Sequence, residues 1–334
     1  MRLGSLLVRA VACLALLASH PAHSQLFRAY VASDGLDTNP CTLQLPCRLL
    51  PAALTAVATG GEIWMLDSAN YNTSQVVIAK SVSILAVPGV VGSIVATGGA
   101  AGLFISASGG RVSLRNLVIV HYTSSTHGIF FASGVDLHVA DCEIAGVATA
   151  AIHATAPNSQ VTVRNTVLRG SGTGFRAEDT TVASLEGVHV LDNMYGIVAA
   201  DDARVSVKDS VAAGNLYGMR AEAATTSARL VVERSSLTGN DTAVSVSATG
   251  SAVAHATVSR SDVSHNSVNG LAAIQDPSAN AVIVADGNTV THNFAGFTFG
   301  AGTPPTIFTR GNNVLRYNTV DIGGGGSLTS LAAQ

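Results

Sequence analysis

The chain has 334 residues, only 12% of them charged, and a formal net charge of −3. Lysine occurs at Lys80 and Lys208 alone, so long exposed helices, which normally carry many Lys and Glu, are not the main element. The same balance excludes a global basic field for nucleic acid.

Residues 1–24 read as a secretory signal. Arg2 and Arg9 give a positive start, Ala10 to Ala18 a short apolar core, and Ala22-His23-Ser24 a cleavage point before Gln25. The expected location is therefore secreted or periplasmic. The core is too short to span a bilayer, and no later segment is long and apolar enough, so no membrane span is expected after signal removal.

Residues 25–61 form an N-terminal lead-in loop with a capping helix. Cys41 and Cys47 lie six apart in a Pro-containing loop, and an oxidising compartment favours a local disulfide. The spacing is not that of a zinc knuckle, and no metal site is assigned. From Arg48 to Ala58, Leu49, Leu50, Ala53, Leu54 and Val57 fall at helical spacing, and Gly60-Gly61 stops the run. A short amphipathic helix here suits the open end of a solenoid.

Residues 62–322 carry a repeat. VSLRNLVI (112–119), LHVADCEI (137–144), VTVRNTVL (161–168), ASLEGVHV (183–190), VSVKDSVA (205–212) and LVVERSSL (230–237) each alternate apolar and polar residues, then turn a polar corner. ATVSRSDV (256–263), VIVADGNTV (282–290) and IFTRGNNVL (307–315) continue the series. The corner residues Asn116, Asp141, Asn165, Gly187, Asp209, Arg234, Arg260, Gly287 and Asn312 are 22 to 27 residues apart. That period fits one turn of a β-solenoid and is too short for paired-helix repeats. Six residues after the corner, Asn193, Asn215, Asn240, Asn266, Asn293 and Asn318 hold register through the variable spacing, as a structural ladder of stacked side chains would. A further strand follows, usually opened by Gly, with Ile129, Ile152, Phe175, Ile197, Met219, Val244 and Leu271 expected inward. Cys142, inside the repeats, reads as a small buried apolar residue. Residues 323–334 open with a glycine run and are expected to form a flexible tail.

From Glu62 to Ile322 the repeats and the asparagine column resemble the pectate-lyase-like, right-handed parallel β-helix superfamily. The start, Ala29-Tyr-Val-Ala-Ser-Asp-Gly, the Cys loop and Pro-Cys-Arg-Leu-Leu, resembles bacterial secreted β-helix repeat proteins. The resemblance implies an all-β, single-stranded right-handed parallel β-helix of about 10–11 coils with a short N-terminal capping helix. It does not imply one activity. Polygalacturonase-like hydrolases carry Asn-Thr-Asp-Gly. Asn193-Met-Tyr-Gly196 and Asn215-Leu-Tyr-Gly218 are similar, but Tyr stands where the carboxylate should be. Asp201-Asp202 is an adjacent pair, and Thr126-His-Gly128 is only a fragment of a Gly-His-Gly motif.

Calcium-dependent lyases need several convergent carboxylates and a basic residue. Glu178, Asp179, Asp201, Asp202 and Glu222 follow the same strand in three successive coils, with Arg176 and Arg220 two residues before Glu178 and Glu222. His153 holds the Arg position one coil earlier, and Tyr195 and Tyr217 flank the strand. This is the candidate binding or active face. An Arg-x-Glu face is equally an ordinary solvated, ion-paired surface, and Arg164, Glu186, Lys208 and Glu233 alternate in sign elsewhere as purely structural charges would. His121 and His127 bracket a Ser/Thr-rich turn without a defined third metal ligand. The residues favour a non-catalytic exported β-helix that presents a lateral surface to a polysaccharide or cell-surface glycan, without a cofactor. Two alternatives stay open: an atypical lyase, hydrolase or epimerase on acidic polysaccharide, with calcium only in the lyase case, or a structural spacer or adhesin stalk.

Overall fold

A computed structural model describes residues 25–275, 278–300 and 306–331. The signal-like segment 1–24 lies outside them. Three parallel sheets, one of thirteen strands and two of eleven, run the length of the chain, and the described residues hold a single short helix. Each coil gives one strand to each sheet. In one coil these are Gln160–Arg164, Val167–Arg169 and Thr173–Ala177, and in the next Val182–Glu186, His189–Leu191 and Tyr195–Ala199. We call the sheets first, second and third in that order. The expected right-handed parallel β-helix is the architecture found.

The period-2 pattern explains why coils stack in one register. Val161 and Val163 point inward and sit on Ala183 and Leu185, while Thr162 faces out over Ser184. A slip of one residue would turn every apolar side chain to water. In the third sheet the expected inward column from Ile129 through Ile152, Phe175, Ile197, Met219 and Val244 to Leu271 pairs coil on coil and is fully buried. The glycines that open these strands are sterically required. A Cβ on Gly196 would stand 2.2 Å from the Gly218 carbonyl oxygen, and one on Gly218 2.6 Å from that of Ala243.

The asparagine ladder is formed and buried. Backbone N–H groups of Asn193, Asn215, Asn240 and Asn266 each donate to the Oδ1 of the next asparagine at 3.0 Å. Their Nδ2 groups donate to the same oxygens at 2.7–3.1 Å and to carbonyls in the middle of the short second-sheet strands. Asn318 closes the column by accepting from Asn293. A second ladder, absent from the sequence reading, occupies the position right after the corner residue. N–H groups of Val188, Ser210, Ser235, Ser261 and Asn288 donate to Ser210, Ser235, Ser261, Asn288 and Asn313 side-chain oxygens at 2.9–3.2 Å. Cys142 stands in this column. It accepts from the Leu117 N–H at 3.4 Å, and burial pushes its thiol up to about 12, so it is an inert packing group. Corner residues Asn116, Asp141, Asn165, Asp209, Arg234 and Arg260 all have positive φ, which explains their Asn/Asp/Gly bias.

The ends differ from the expected boundaries. The helix is shorter, Leu50–Ala56, with Pro51 in its first turn and Leu50, Ala53 and Leu54 buried. The first strand after it starts at Val57 rather than Glu62, because Val57 is needed in the core and the glycines fit inside the strand. The lead-in is not all loop, since Leu26–Val31 pairs with Val57–Met65 as the first strand of the first sheet. The Cys41–Cys47 disulfide is formed, and its loop docks on that strand through Tyr30 N–H to Cys41 O and Cys47 N–H to Tyr30 O, both 2.9 Å. At the other end Thr329–Ser330, expected in a tail, adds to the first sheet beside Thr306–Thr309.

Removing one rung tests the ladder. Asn240→Ala strands the Asn215 N–H and the Ala212 carbonyl. It should cost at least about 2 kcal/mol in urea denaturation, given ~1–3 kcal/mol per buried unsatisfied group. Ser206→Ala on the exposed face should stay within about 0.5 kcal/mol.

Candidate functional site

The outward positions of the third sheet form a continuous strip. In register, Phe104, Phe130, His153, Arg176, Val198, Arg220 and Ser245 follow one another up the helix. A neighbouring column carries His127, Ala150, Thr173, Tyr195 and Tyr217. Strand spacing is about 4.8 Å, so side chains of adjacent coils touch. Phe104 and Phe130 ring centroids are 5.6 Å apart, Phe130 and His153 5.3 Å, and His127 stacks on both Phe130 and His153. Tyr195 and Tyr217 stack at 5.4 Å, and the Arg220 guanidinium lies 5.6 and 5.3 Å from their centroids.

The structure brings together His153, Arg176, Glu178, Tyr195, Tyr217, Arg220 and Glu222. Arg176 Nε bonds to Glu178, and its Nη2 reaches Glu222 Oε1 at 3.6 Å. That reach spans a whole coil, and the residues it crosses, Val198 and Ala200, are covered. Arg220 Nε lies 3.0 Å from Glu222 Oε2 and His153 Nε2 3.3 Å from Glu178 Oε1. Both pairs are close but off a straight hydrogen-bond line, so these two buried nitrogens lack an aligned acceptor. His153 Nδ1 meets His127 Nε2 at 3.1 Å. The His153 ring, then Arg176, hold the Glu178 carboxyl down at about 2 against the effect of burial. Burial, then His153, push the His127 imidazole down to about 4.

Asp179, Asp201 and Asp202 do not join this cluster. They occupy the corner leading to the first sheet, where positive φ at Asp179 and Asp202 turns the chain away. Asp201 Oδ1 accepts the N–H groups of Ala224, Thr225 and Thr226 at 2.8, 3.0 and 3.3 Å and anchors their loop. Burial alone would raise its carboxyl, but these donors hold it below its ordinary value. Asp202 faces a shallow groove with Asn158, Gln160, Thr180 and Arg204. The acidic pair is thus a corner device, and adjacency in sequence did not mean convergence. His121 and His127 also part: His121 meets Ser125 at 3.1 Å, while His127 joins the strip. Among the described residues no three His, Cys, Asp or Glu side chains converge as metal ligands. Sequence reading missed Phe104, His127 and Phe130 as part of the face. Their signal was register: each aligns with a residue already singled out.

The family model for a right handed beta helix region matches residues 70–228. No curated protein matches the sequence. Among solved structures, XylC in complex with xylose aligns at TM-score 0.60 and 9% identity, covering 85% of this chain and 70% of that one. Pectate lyase Pel9A aligns at 0.56 and 16%, covering 86% and 75%. The A-module of the Azotobacter vinelandii mannuronan C-5 epimerase AlgE6 aligns at 0.50 and 15%, covering 85% and 95%. At these identities the likeness establishes the fold.

The strip should make stability depend on acid. Below pH 6.5 the unfolded His127 takes up a proton that the folded state resists until about pH 4. Below about 4.5 the unfolded Glu178 does the same, down to about pH 2 in the folded state. Both groups make the unfolded state bind more protons, so stability falls as pH drops through these windows. Thermal melts from pH 7 to 3 should show this, and His127→Gln should flatten the part between 6.5 and 4 while Glu178→Gln flattens the part below it.

Proposed function

We propose that this chain is an exported, non-catalytic β-helix that binds a glycan lengthwise along the third sheet. Aromatic rings at Phe104, Phe130, Tyr195 and Tyr217 and the guanidinium groups of Arg176 and Arg220 supply apolar contact and hydrogen-bond donors over successive coils. Two arginines and two glutamates balance in charge, which suits a hydroxyl-rich sugar chain over a strongly charged one. The observation that carries the reading is the state of Glu178. Glycoside hydrolysis needs one carboxyl kept protonated by its surroundings, whereas Glu178 is held ionised by His153 and Arg176. The solved structures resembled include a pectate lyase and a mannuronan epimerase, so polysaccharide is the ligand class the fold brings to mind. The apolar, Ala-rich start and the Cys41–Cys47 disulfide support export.

A glycan array should return oligosaccharide ligands for the mature chain. Arg220→Ala should weaken them at least about tenfold, the scale of one lost anchor residue of ~1.4 kcal/mol. No binding to any glycan would sink the reading. One observation favours an enzyme instead: Arg220 Nε is buried without an aligned acceptor, beside the tyrosines. Polyuronate turnover, with or without calcium, that disappears in Arg220→Ala would establish that alternative.

A further inference from the structure

The first sheet carries charge in two different ways. In one outward column Arg164, Glu186, Lys208 and Glu233 alternate in sign in register. Arg164 Nε lies 3.5 Å from Glu186, and Glu233 is paired with Arg234 and Arg260. In the column four residues earlier on the same strands, Val182, Arg204, Arg229, His255 and Val282 follow one another. Arg204 and Arg229 are thus direct neighbours on adjacent strands, about 4.8 Å apart at the backbone. Like charges placed directly opposite destabilise a sheet. Neither arginine has an ion pair or side-chain hydrogen bond among the described residues, and both are exposed. The carboxylate sharing a groove with Arg204, Asp202, lies beyond ion-pair reach of it and meets Ser227 Oγ at 3.5 Å instead. Glu186 and Glu233, on the far column, are engaged elsewhere.

Between the two columns Thr162, Ser184, Ser206, Val231 and Thr257 follow in register, the serines exposed and an exposed valine, Val231, standing beside Arg229. His255 extends the basic column, and burial, then Arg229, keep its imidazole below its ordinary value, so at neutral pH it is an uncharged hydrogen-bonding ring. Apart from the His255 ring, these columns carry no aromatic platform for stacking bases among the described residues from Val182 to Val282.

We propose that Arg204, Arg229 and His255, with the Ser206 hydroxyl on the Arg204 strand and the Ser184 hydroxyl one coil before it, form a second binding site, on the first sheet, for an acidic polysaccharide. The unpaired guanidinium forks would take carboxylate or sulfate groups on successive sugars, and the two serine hydroxyls would take sugar hydroxyls at the Arg204 end. An anion lying across both arginines removes the repulsion that the free protein carries. This site is separate from the third-sheet strip and does not depend on it.

The test uses the mature chain, with dextran sulfate as probe and dextran as its uncharged control, by calorimetry at several salt concentrations. Binding should be specific to dextran sulfate and weaken with salt. It should fall at least about tenfold in the Arg204→Gln/Arg229→Gln double variant, the effect of losing two charge-assisted contacts. Arg316→Gln, an exposed position on the second sheet and outside both faces, should bind dextran sulfate as the wild type does. The double variant should melt no lower than wild type, since repulsion is relieved. Three outcomes overturn the proposal: no binding of dextran sulfate, unchanged binding in the double variant, or equal binding of single-stranded polyuridylate at matched charge, which would mean general polyanion attraction. Loss of neutral-glycan binding in Arg220→Ala is read independently and bears only on the third-sheet face.

Discussion

Coil-to-coil hydrogen bonding in strict register is the constraint on which the rest of this protein depends. Each strand passes its backbone donors and acceptors to the equivalent strand one coil on, and each corner asparagine passes its backbone N–H and side-chain amide to the next asparagine oxygen. A parallel solenoid has no other source of long-range order, because each coil touches only its neighbours. Once register holds, like stacks on like. Valines and isoleucines become a core, asparagines a buried ladder, and whatever side chain lies outward becomes one rung of a surface column.

That rule makes the lateral surface a place where chemistry accumulates by repetition. The third sheet gathers rings and ion pairs into one strip because His153, Arg176, Arg220 and Phe130 share a column. It also sets limits. Val198 interrupts the arginines, and the Arg176 side chain spans the gap to reach Glu222. The result is a charge-balanced face in which arginines and glutamates pair with one another within and across coils. The first sheet shows the same arithmetic with the opposite outcome. One column alternates sign and pairs, while another sets Arg204 on Arg229 with nothing to balance them.

The repeat was legible from the amino acids because each coil needs the same inward residues, the same positive-φ corner and the same asparagine. The second ladder was not read, since Cys142, Thr166, Val188, Ser210 and Asn288 differ in kind, though all but the valine offer a small acceptor at one corner. The candidate face was read in part. Arg176 with Glu178 and Arg220 with Glu222 were visible from an i, i+2 strand period. Asp179, Asp201 and Asp202 were grouped with them because they follow in sequence, yet a corner separates them in space. Phe104 and Phe130 do not stand out in the sequence, and His127 reads there only as a turn residue, because their membership of the face depends on register between coils.

By itself the sequence determined the class of fold, the period, the inward columns and the asparagine ladder, because all of these are local patterns that backbone geometry repeats without reference to distant residues. Tertiary structure alone decided which outward side chains meet. The face at Arg176 and Arg220, the detachment of the aspartates and the unpaired Arg204–Arg229 step each depend on how many residues every corner consumes before the next strand begins. Corner length varies from coil to coil, and only the folded register converts that variable spacing into neighbours.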